Sequence, residues 1–320
     1  MSGQKISVVI PCYNSEKMVG VVVNQVLEAV SQRDNTEYEI ILVNDGSRDK
    51  TWDVIKTLAN ENDKIVAINL SKNFGQHSAL MAAYREVTGD VVVGLDDDGE
   101  HNPYEMFQLI DKLNEGYDYV CADYETNQSK FRSLGTRMNN LMATILIEKP
   151  KEVDFSSYYV MRRFVIDEIV RYDKPYPYVG GLLLRVTKNI ATVPLVRQKR
   201  LSGASGYNLR KMLKLWFNGF TAFSVKPLRI ATGLGMLSAF IGFAGIIWLI
   251  VRKLFFVSYT AGYASTMVCI IFFSGMIMML LGIIGEYLGR IYICINNAPQ
   301  YVIKDIVGRK KIDSKEEYLE

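Results

Sequence analysis

Leu95-Asp96-Asp97-Asp98-Gly99-Glu100-His101 puts three consecutive carboxylates, and a fourth two residues on, directly after the aliphatic run Val91-Val92-Val93-Gly94. Adjacent carboxylates repel, and each resists ionisation beside the others unless a cation compensates. Oxygen-rich groups of this kind suit hard divalent ions such as Mg²⁺ or Mn²⁺, which are often shared with substrate phosphates. At this level the alternative is a solvated acidic loop entering a helix. Further along, residues 123–226 carry Arg132, Arg137, Arg162, Arg163, Arg185, Arg197 and Arg200. A guanidinium is a rigid fork of donors matched to phosphate, although most arginines in any such stretch are plain surface charges.

The elements that must hold these groups are legible from periodicity. Short aliphatic runs at 5–11, 39–43, 65–70, 90–95 and 117–122 read as strands. Between them, 16–31, 51–60, 76–87 and 103–115 carry apolar residues at helical spacing, the last with Pro103 near its first turn. Continuous rather than alternating hydrophobicity in the strands implies a mostly parallel sheet with helices on both faces. Ligands of such sheets sit beyond the carboxyl ends of the strands, where Asn14, Asp45, Asp96 and Asp98 all fall. No Gly-x-Gly-x-x-Gly follows the first strand and no Gly-Lys-Ser/Thr loop occurs, which argues against dinucleotide-binding and P-loop folds.

The net charge of +3 over 320 residues gives no basic excess of the kind nucleic acid attracts, so no nucleic-acid partner is expected. Cys12, Cys121, Cys269 and Cys294 lack zinc or disulfide spacing, and the first two sit in strand-like surroundings as reduced core thiols. No charged segment followed by an apolar stretch opens the chain, so no secretory signal is expected. Residues 228–251 and 262–288 are each long and apolar enough to cross a bilayer, which takes about 20 residues. Before them, 208–227 includes Leu209, Met212, Leu213, Trp216, Phe217 and Phe220 on one side, with Arg210, Lys211 and Lys214 elsewhere. Such a basic amphipathic helix lies in the membrane interface. The distribution of Lys and Arg around the spans places both termini in the cytoplasm. Gly285 and Gly289 form a small-x-x-x-small pair that suits close helix packing, within the chain or in a homo-oligomer. The expected organisation is therefore a catalytic domain over 1–207, an amphipathic helix over 208–227, spans at 228–251 and 262–288, and a cytoplasmic tail over 289–320.

Ile10-Pro11-Cys12-Tyr13-Asn14, Val43-Asn44-Asp45-Gly46-Ser47, Asn73-Phe74-Gly75 and Leu95-Asp96-Asp97-Asp98-Gly99-Glu100-His101-Asn102-Pro103 resemble the ordered motifs of inverting GT-A-fold glycosyltransferases. Arg200-Leu201-Ser202-Gly203-Ala204-Ser205-Gly206-Tyr207, the Phe223-Ser224-x-x-Pro227-Leu228-Arg229 junction and Gly285-Glu286-Tyr287-Leu288-Gly289-Arg290 resemble the polyisoprenyl-phosphate branch of glycosyltransferase family 2. That branch includes dolichol-phosphate mannose synthases and bacterial undecaprenyl-phosphate sugar transferases. The resemblance covers nearly the whole chain. It implies a GT-A-type α/β domain on a multi-pass anchor in the inner (plasma) membrane. It also implies an inverting, Mg²⁺- or Mn²⁺-dependent transfer of sugar from a nucleotide-sugar, foremost a UDP-sugar, to polyprenyl (undecaprenyl) phosphate at the cytoplasmic face, for cell-envelope glycan modification.

The same resemblance implies residue roles. Asp45 reads the nucleotide base, with Pro11, Tyr13 and Asn14 lining the base and ribose pocket and Asp96 beside them. Asp96 and Asp98 hold the metal, with Glu100 where a glutamine commonly completes the site and Asp97 the least constrained of the acids. Arg132 and Thr136 hold the acceptor phosphate, and Arg200 and Ser205 lie near the donor diphosphate and acceptor phosphate. Asp98, Asp154 and Arg200 form the catalytic set.

Three departures from the family pattern bear on this. Asn44 replaces a frequent aspartate, Ser157 stands where relatives often place a candidate base, and Gly206 replaces a lysine. A missing base is tolerable, because a phosphate monoester, with a second pKa of about 6, is already a nucleophile near neutral pH. Metal and arginines need only align two anionic groups and stabilise the leaving nucleoside diphosphate. The rival readings are a processive polysaccharide synthase and a catalytically inactive membrane scaffold. The first is disfavoured by the absence of a Gln-x-x-Arg-Trp motif, the second by the intact Asp96/Asp98 pair.

Overall fold

The computed structural model describes residues 4–33, 36–124, 155–196, 198, 262–296 and 298–308, with isolated positions between 232 and 254. Arg132, Thr136, Asp154, Arg200, Ser205, the 208–227 helix and most of the first span lie outside the described residues. The chain divides into two compact units, Met1–Tyr207 with Ala298–Glu320, and Asn208–Asn297.

In the first unit the strands are β1 (Ile6–Cys12), β2 (Tyr38–Asn44), β3 (Ile65–Leu70), β4 (Val91–Gly94), β5 (Tyr119–Tyr124), β6 (Tyr159–Arg162), β7 (Ile190–Leu195) and β8 (Ile303–Val307). They form one sheet in the order β7-β5-β6-β4-β1-β2-β3-β8. The β4-β1-β2-β3 centre is parallel, as the continuous aliphatic runs require. Its strands are buried on both sides. Val8, Ile10, Ile40, Leu42, Val91 and Val93 face α1 (Val19–Ser31), α2 (Thr51–Glu61) and α4 (Met106–Asn114). Val9, Ile41, Val43 and Val92 face α3 (Gln76–Tyr84), α5 (Arg163–Ile169) and α6 (Val179–Val186). Pro103–Glu105 forms a single 3-10 turn ahead of α4, where the Asn102 side chain accepts from the Tyr104 N–H.

The edges depart from the simple alternation. β6 runs antiparallel between β4 and β5, so β5 does not touch the strand that carries the acids. The sequence reading expects a plain tail from 289. Instead, Ile303–Val307 pair antiparallel with β3 as the eighth strand. Neither strand is obvious in sequence, because each is short and its partners are remote in the chain. In the second unit α7 (Tyr263–Ile295) is a continuous 33-residue helix, about 50 Å long at 1.5 Å per residue. Its Phe273–Ile295 stretch is long and apolar enough to cross a membrane, and it is the one such helix among the described residues.

Gly94 ends β4 opposite Tyr159 of β6. A Cβ there would collide with the buried Tyr159 ring, whose hydroxyl pairs with that of Tyr84 and whose face stacks on Tyr119. Gly94→Ala is expected to cost about 1–3 kcal/mol through this overlap. Thermal unfolding checks it, and an unchanged midpoint would contradict the packing.

Candidate active site

The carboxyl ends of β1, β2 and β4 converge with the loop after β3. Asp45, just past β2, is buried and donates its backbone N–H to the Cys12 carbonyl at 2.9 Å. Its Oδ1 accepts from the Phe74 N–H at 2.7 Å and its Oδ2 from the Gly75 N–H at 2.9 Å, while Asn73 Nδ2 donates to its carbonyl at 3.2 Å. Burial pushes the Asp45 carboxyl up and these two amides pull it part-way back, leaving it above the ordinary carboxylate value. The loop closes this tightly because residue 46 is glycine, with φ of 62°. A Cβ at Gly46 would run into the backbone of Lys72 and Asn73. Asn14, with φ of 54°, accepts the Arg48 N–H at 2.9 Å and gives its own N–H to Ser47 Oγ at 3.0 Å. Tyr13 leaves its ring 48 % exposed above this turn.

Asp96 sits at the end of β4. Its Oδ1 accepts from Gln76 Nε2 at 2.8 Å, and its Oδ2 accepts from the Ser157 hydroxyl. His101, fully buried, sets Nε2 at 3.0 Å from Ser157 Oγ and 3.4 Å from Asp96 Oδ2, with Nδ1 at 2.7 Å from the Tyr124 hydroxyl. Serine, histidine and aspartate together invite comparison with a hydrolytic triad. The geometry rules that out, because in a triad the serine and the acid address opposite ring nitrogens. Here both face Nε2, and the serine proton goes straight to the aspartate. The group fixes Asp96.

Asp97 departs from expectation. Far from being the least constrained acid, it turns inward to accept the Tyr13 N–H at 3.0 Å. Burial drives its carboxyl up to about 6, the Ser15 and Tyr13 donors oppose that, and the charges of Asp96 and Asp98 add to it. Asp98 Oδ1 accepts from the Glu100 N–H at 3.0 Å. Glu100 is buried, gives its backbone N–H to Asp98 and accepts the Gln198 N–H at its carbonyl.

Next to Asp96 opens a cavity of about 230 Å³ under α3 and α6. Its walls are mainly apolar and aromatic, including Tyr119, Phe155, Tyr159 and Tyr178, with Gln76, His77 and Ser157 as polar points. His77 stands edge-on to Tyr178 with centroids 5.2 Å apart. Its Nδ1 is sealed from solvent and finds no hydrogen-bond partner among the described residues.

Residues 7–170 match the "Glycosyl transferase family 2" family model, just over half of the 320-residue chain. The chain is a family 2 glycosyltransferase. Residues 226–291 also match the "GtrB C-terminal hairpin" family. An undecaprenyl-phosphate 4-deoxy-4-formamido-L-arabinose transferase of Proteus mirabilis is 33% identical, with 98% of this chain and 97% of the relative aligned. A prophage-derived bactoprenol glucosyl transferase of Shigella flexneri is 34% identical over 94% of this chain and 97% of its own. Glucosyl-3-phosphoglycerate synthase of Mycobacterium tuberculosis, solved with Mn²⁺ and UDP-glucose, superposes with a TM-score of 0.50 at 23% identity. That pair covers 68% of this chain and 77% of the solved one, a likeness of fold alone.

For a family 2 enzyme, the geometry brings together Pro11, Tyr13, Asn14, Asp45, Asp96 and Asp98 of the predicted set. Two of the candidate arginines are otherwise engaged. Arg162 donates to the carbonyls of Tyr117 and Leu113, and Arg163 to that of Val87 and to Asp167. Gln76 and the bonding of Ser157 to Asp96 escape sequence reasoning, since only the packing of α3 and β6 around β4 brings them to the acid. The Asn73-Phe74-Gly75 motif was the available signal for the clamp on Asp45.

Burial holds the His77 imidazole down at about 4, against an ordinary 6.5. Between those values the unfolded chain binds a proton that the folded chain refuses. Stability therefore rises with pH across that window and falls as the solution is acidified. His77→Phe should flatten the slope of unfolding midpoint against pH from 4.5 to 7; equal slopes in both proteins would refute it.

Proposed function

We propose that this enzyme transfers a sugar from a nucleoside-diphosphate sugar, foremost a UDP-sugar, to undecaprenyl phosphate, with inversion at the anomeric carbon. What carries the reading is similarity along almost the full length of both chains to two transferases named for that lipid acceptor. Two spans within 226–291 would anchor the catalytic domain at the cytoplasmic face of the bacterial membrane. α7 supplies one such candidate, and its Gly285 and Gly289 suit a close helix contact within or between chains.

Asp45 takes the base in this reading. Each of its oxygens accepts one backbone amide and keeps a lone pair for a base N–H. Pro11, Tyr13 and Asn14 line the base and ribose pocket. Asp96 and Asp98 are the metal ligands. The donor set fits Mg²⁺ or Mn²⁺: hard carboxylate oxygens on successive residues, where burial and the neighbouring aspartate charges push the Asp97 carboxyl up to about 6. Such ions take one or two carboxylates and complete their shell with phosphate and water, so a third protein ligand is dispensable. When bound, the ion neutralises charge on the departing diphosphate.

The residues of the chain do the rest by position. Gln76 and Ser157 hold Asp96 against rotation, and the cavity beside it takes the sugar. Arg132 and Thr136 hold the acceptor phosphate, Arg200 and Ser205 the two phosphate groups facing each other, and Asp154 orients them. The ionised lipid phosphate attacks without a general base, which suits an enzyme with serine at 157.

Asp98→Ala is expected to reduce transfer at least about 100-fold without shifting the unfolding midpoint. Purified protein in detergent, incubated with UDP-sugars and a short polyprenyl phosphate, supplies the assay. Near-normal turnover in the variant would remove Asp98 from the site, and nucleotide release indifferent to the lipid would overturn the acceptor.

A further inference from the structure

Three side chains, of Asp305, Asn69 and Asn44, form a hydrogen-bond relay across the sheet, and the backbone N–H groups of Ser47 and Asn14 carry it into the turn beyond β2. Asp305 on β8 accepts from Asn69 Nδ2 on β3 at 3.2 Å, and Asn69 Oδ1 accepts from Asn44 Nδ2 on β2 at 2.8 Å. Asn44 Oδ1 then accepts the Ser47 N–H at 3.2 Å, and Ser47 Oγ accepts the Asn14 N–H at 3.0 Å. The register makes this possible, because Asn44 lies directly opposite Asn69, and Asn69 directly opposite Asp305. Asn44 and Asn69 are buried.

An asparagine side chain has a donor end and an acceptor end, whereas a carboxylate only accepts. Asp305 therefore sets the polarity of the whole relay. It draws the Asn69 amide toward itself, which turns the Asn69 carbonyl to Asn44, which turns the Asn44 carbonyl to the Ser47 N–H. Reversing either amide alone would oppose donor to donor or acceptor to acceptor at the buried Asn44–Asn69 junction, where water cannot repair the mismatch.

We infer that Asp305, on β8, is a positioning residue for the nucleotide site, acting through Asn69 and Asn44 on the Asp45–Arg48 turn. The inference rests on the proposed binding of the base by Asp45. It also accounts for asparagine at 44, where resemblance to the family leads one to expect aspartate. A carboxylate at 44 would pull the Asn69 Nδ2 its own way and leave the Asn69 carbonyl facing the Asp305 carboxylate. Seven residues separate the end of α7 from β8, so this strand ties the chain beyond the apolar helix to the turn that holds Asp45.

The test is a reversal of polarity, in the full-length protein. Asn44→Asp should raise KM for the nucleotide-sugar about tenfold with kcat little changed, as should Asp305→Leu. In the double variant Asn44→Asp/Asp305→Asn, the 305 amide can donate to the inverted Asn69, and KM should return to within about twofold of the parent. Thermal unfolding of each variant separates lost positioning from lost fold. Additive or unchanged KM values across the cycle, with all variants folded, overturn the inference. Asp45→Ala serves as the control. If it leaves donor KM unchanged, the nucleotide-site reading fails; if it raises KM while the relay variants do not, the relay alone fails.

Discussion

Carboxylates crowded at the end of a buried strand are the constraint on which the rest of this structure turns. β4 runs through the middle of the sheet with no side chain exposed, then delivers Asp96, Asp97 and Asp98 in immediate succession. Left alone, that much like charge beside an apolar core would open the strand end or protonate. The fold instead assigns each acid its own donors. Asp96 receives Gln76 and Ser157, Asp97 receives the Tyr13 amide, and Asp98 receives the Glu100 amide. The three share no hydrogen-bond donor among those bonds. Burial, with the charges of Asp96 and Asp98 adding to it, raises the Asp97 carboxyl to about 6.

The antiparallel strand β6 is what makes this arrangement compatible with an adjoining cavity. By inserting between β4 and β5, it sets Ser157 beside Asp96 and lays Tyr159 across Gly94. The same insertion opens the space under α3 and α6, where His77 stands neutral with its Nδ1 turned away from solvent. A parallel strand in that place would need a long crossover, and would enter the crevice from the opposite end. The apolar and aromatic character of the pocket thus follows from strand direction as much as from residue type.

The opposite half of the sheet shows a different economy. Asp45 is held by the backbone of a loop from β3, through glycines at 46 and 75 that tolerate positive φ. The asparagines at 44 and 69 join that turn to β8, a strand more than 230 residues further along the chain. Local motifs and a remote segment therefore meet on one turn. This family 2 glycosyltransferase in this way builds part of its sheet from residues that follow a helix long and apolar enough to cross a membrane.

The sequence by itself determined the central sheet, its helices and the strand ends where ligands gather, because hydrophobic period and turn chemistry are local properties. Asn14, Asp45, Asp96 and Asp98 were legible for the same reason: each sits within a few residues of a strand terminus that periodicity marks. Resemblance to family 2 was equally available, since its motifs are short and ordered. Only the tertiary structure decided that Asp97 accepts the Tyr13 amide, that Glu100 is buried, and that Gln76 and Ser157 bond to Asp96. It also decided that β6 runs antiparallel and that Ile303–Val307 belongs to the sheet. Each of these depends on which residues remote in sequence become neighbours, and a four- or five-residue strand carries too little local pattern to announce its partner. The asparagine at 44 shows the division most clearly. In sequence it is a departure from a motif, and in the folded chain it is the complement of an aspartate on β8.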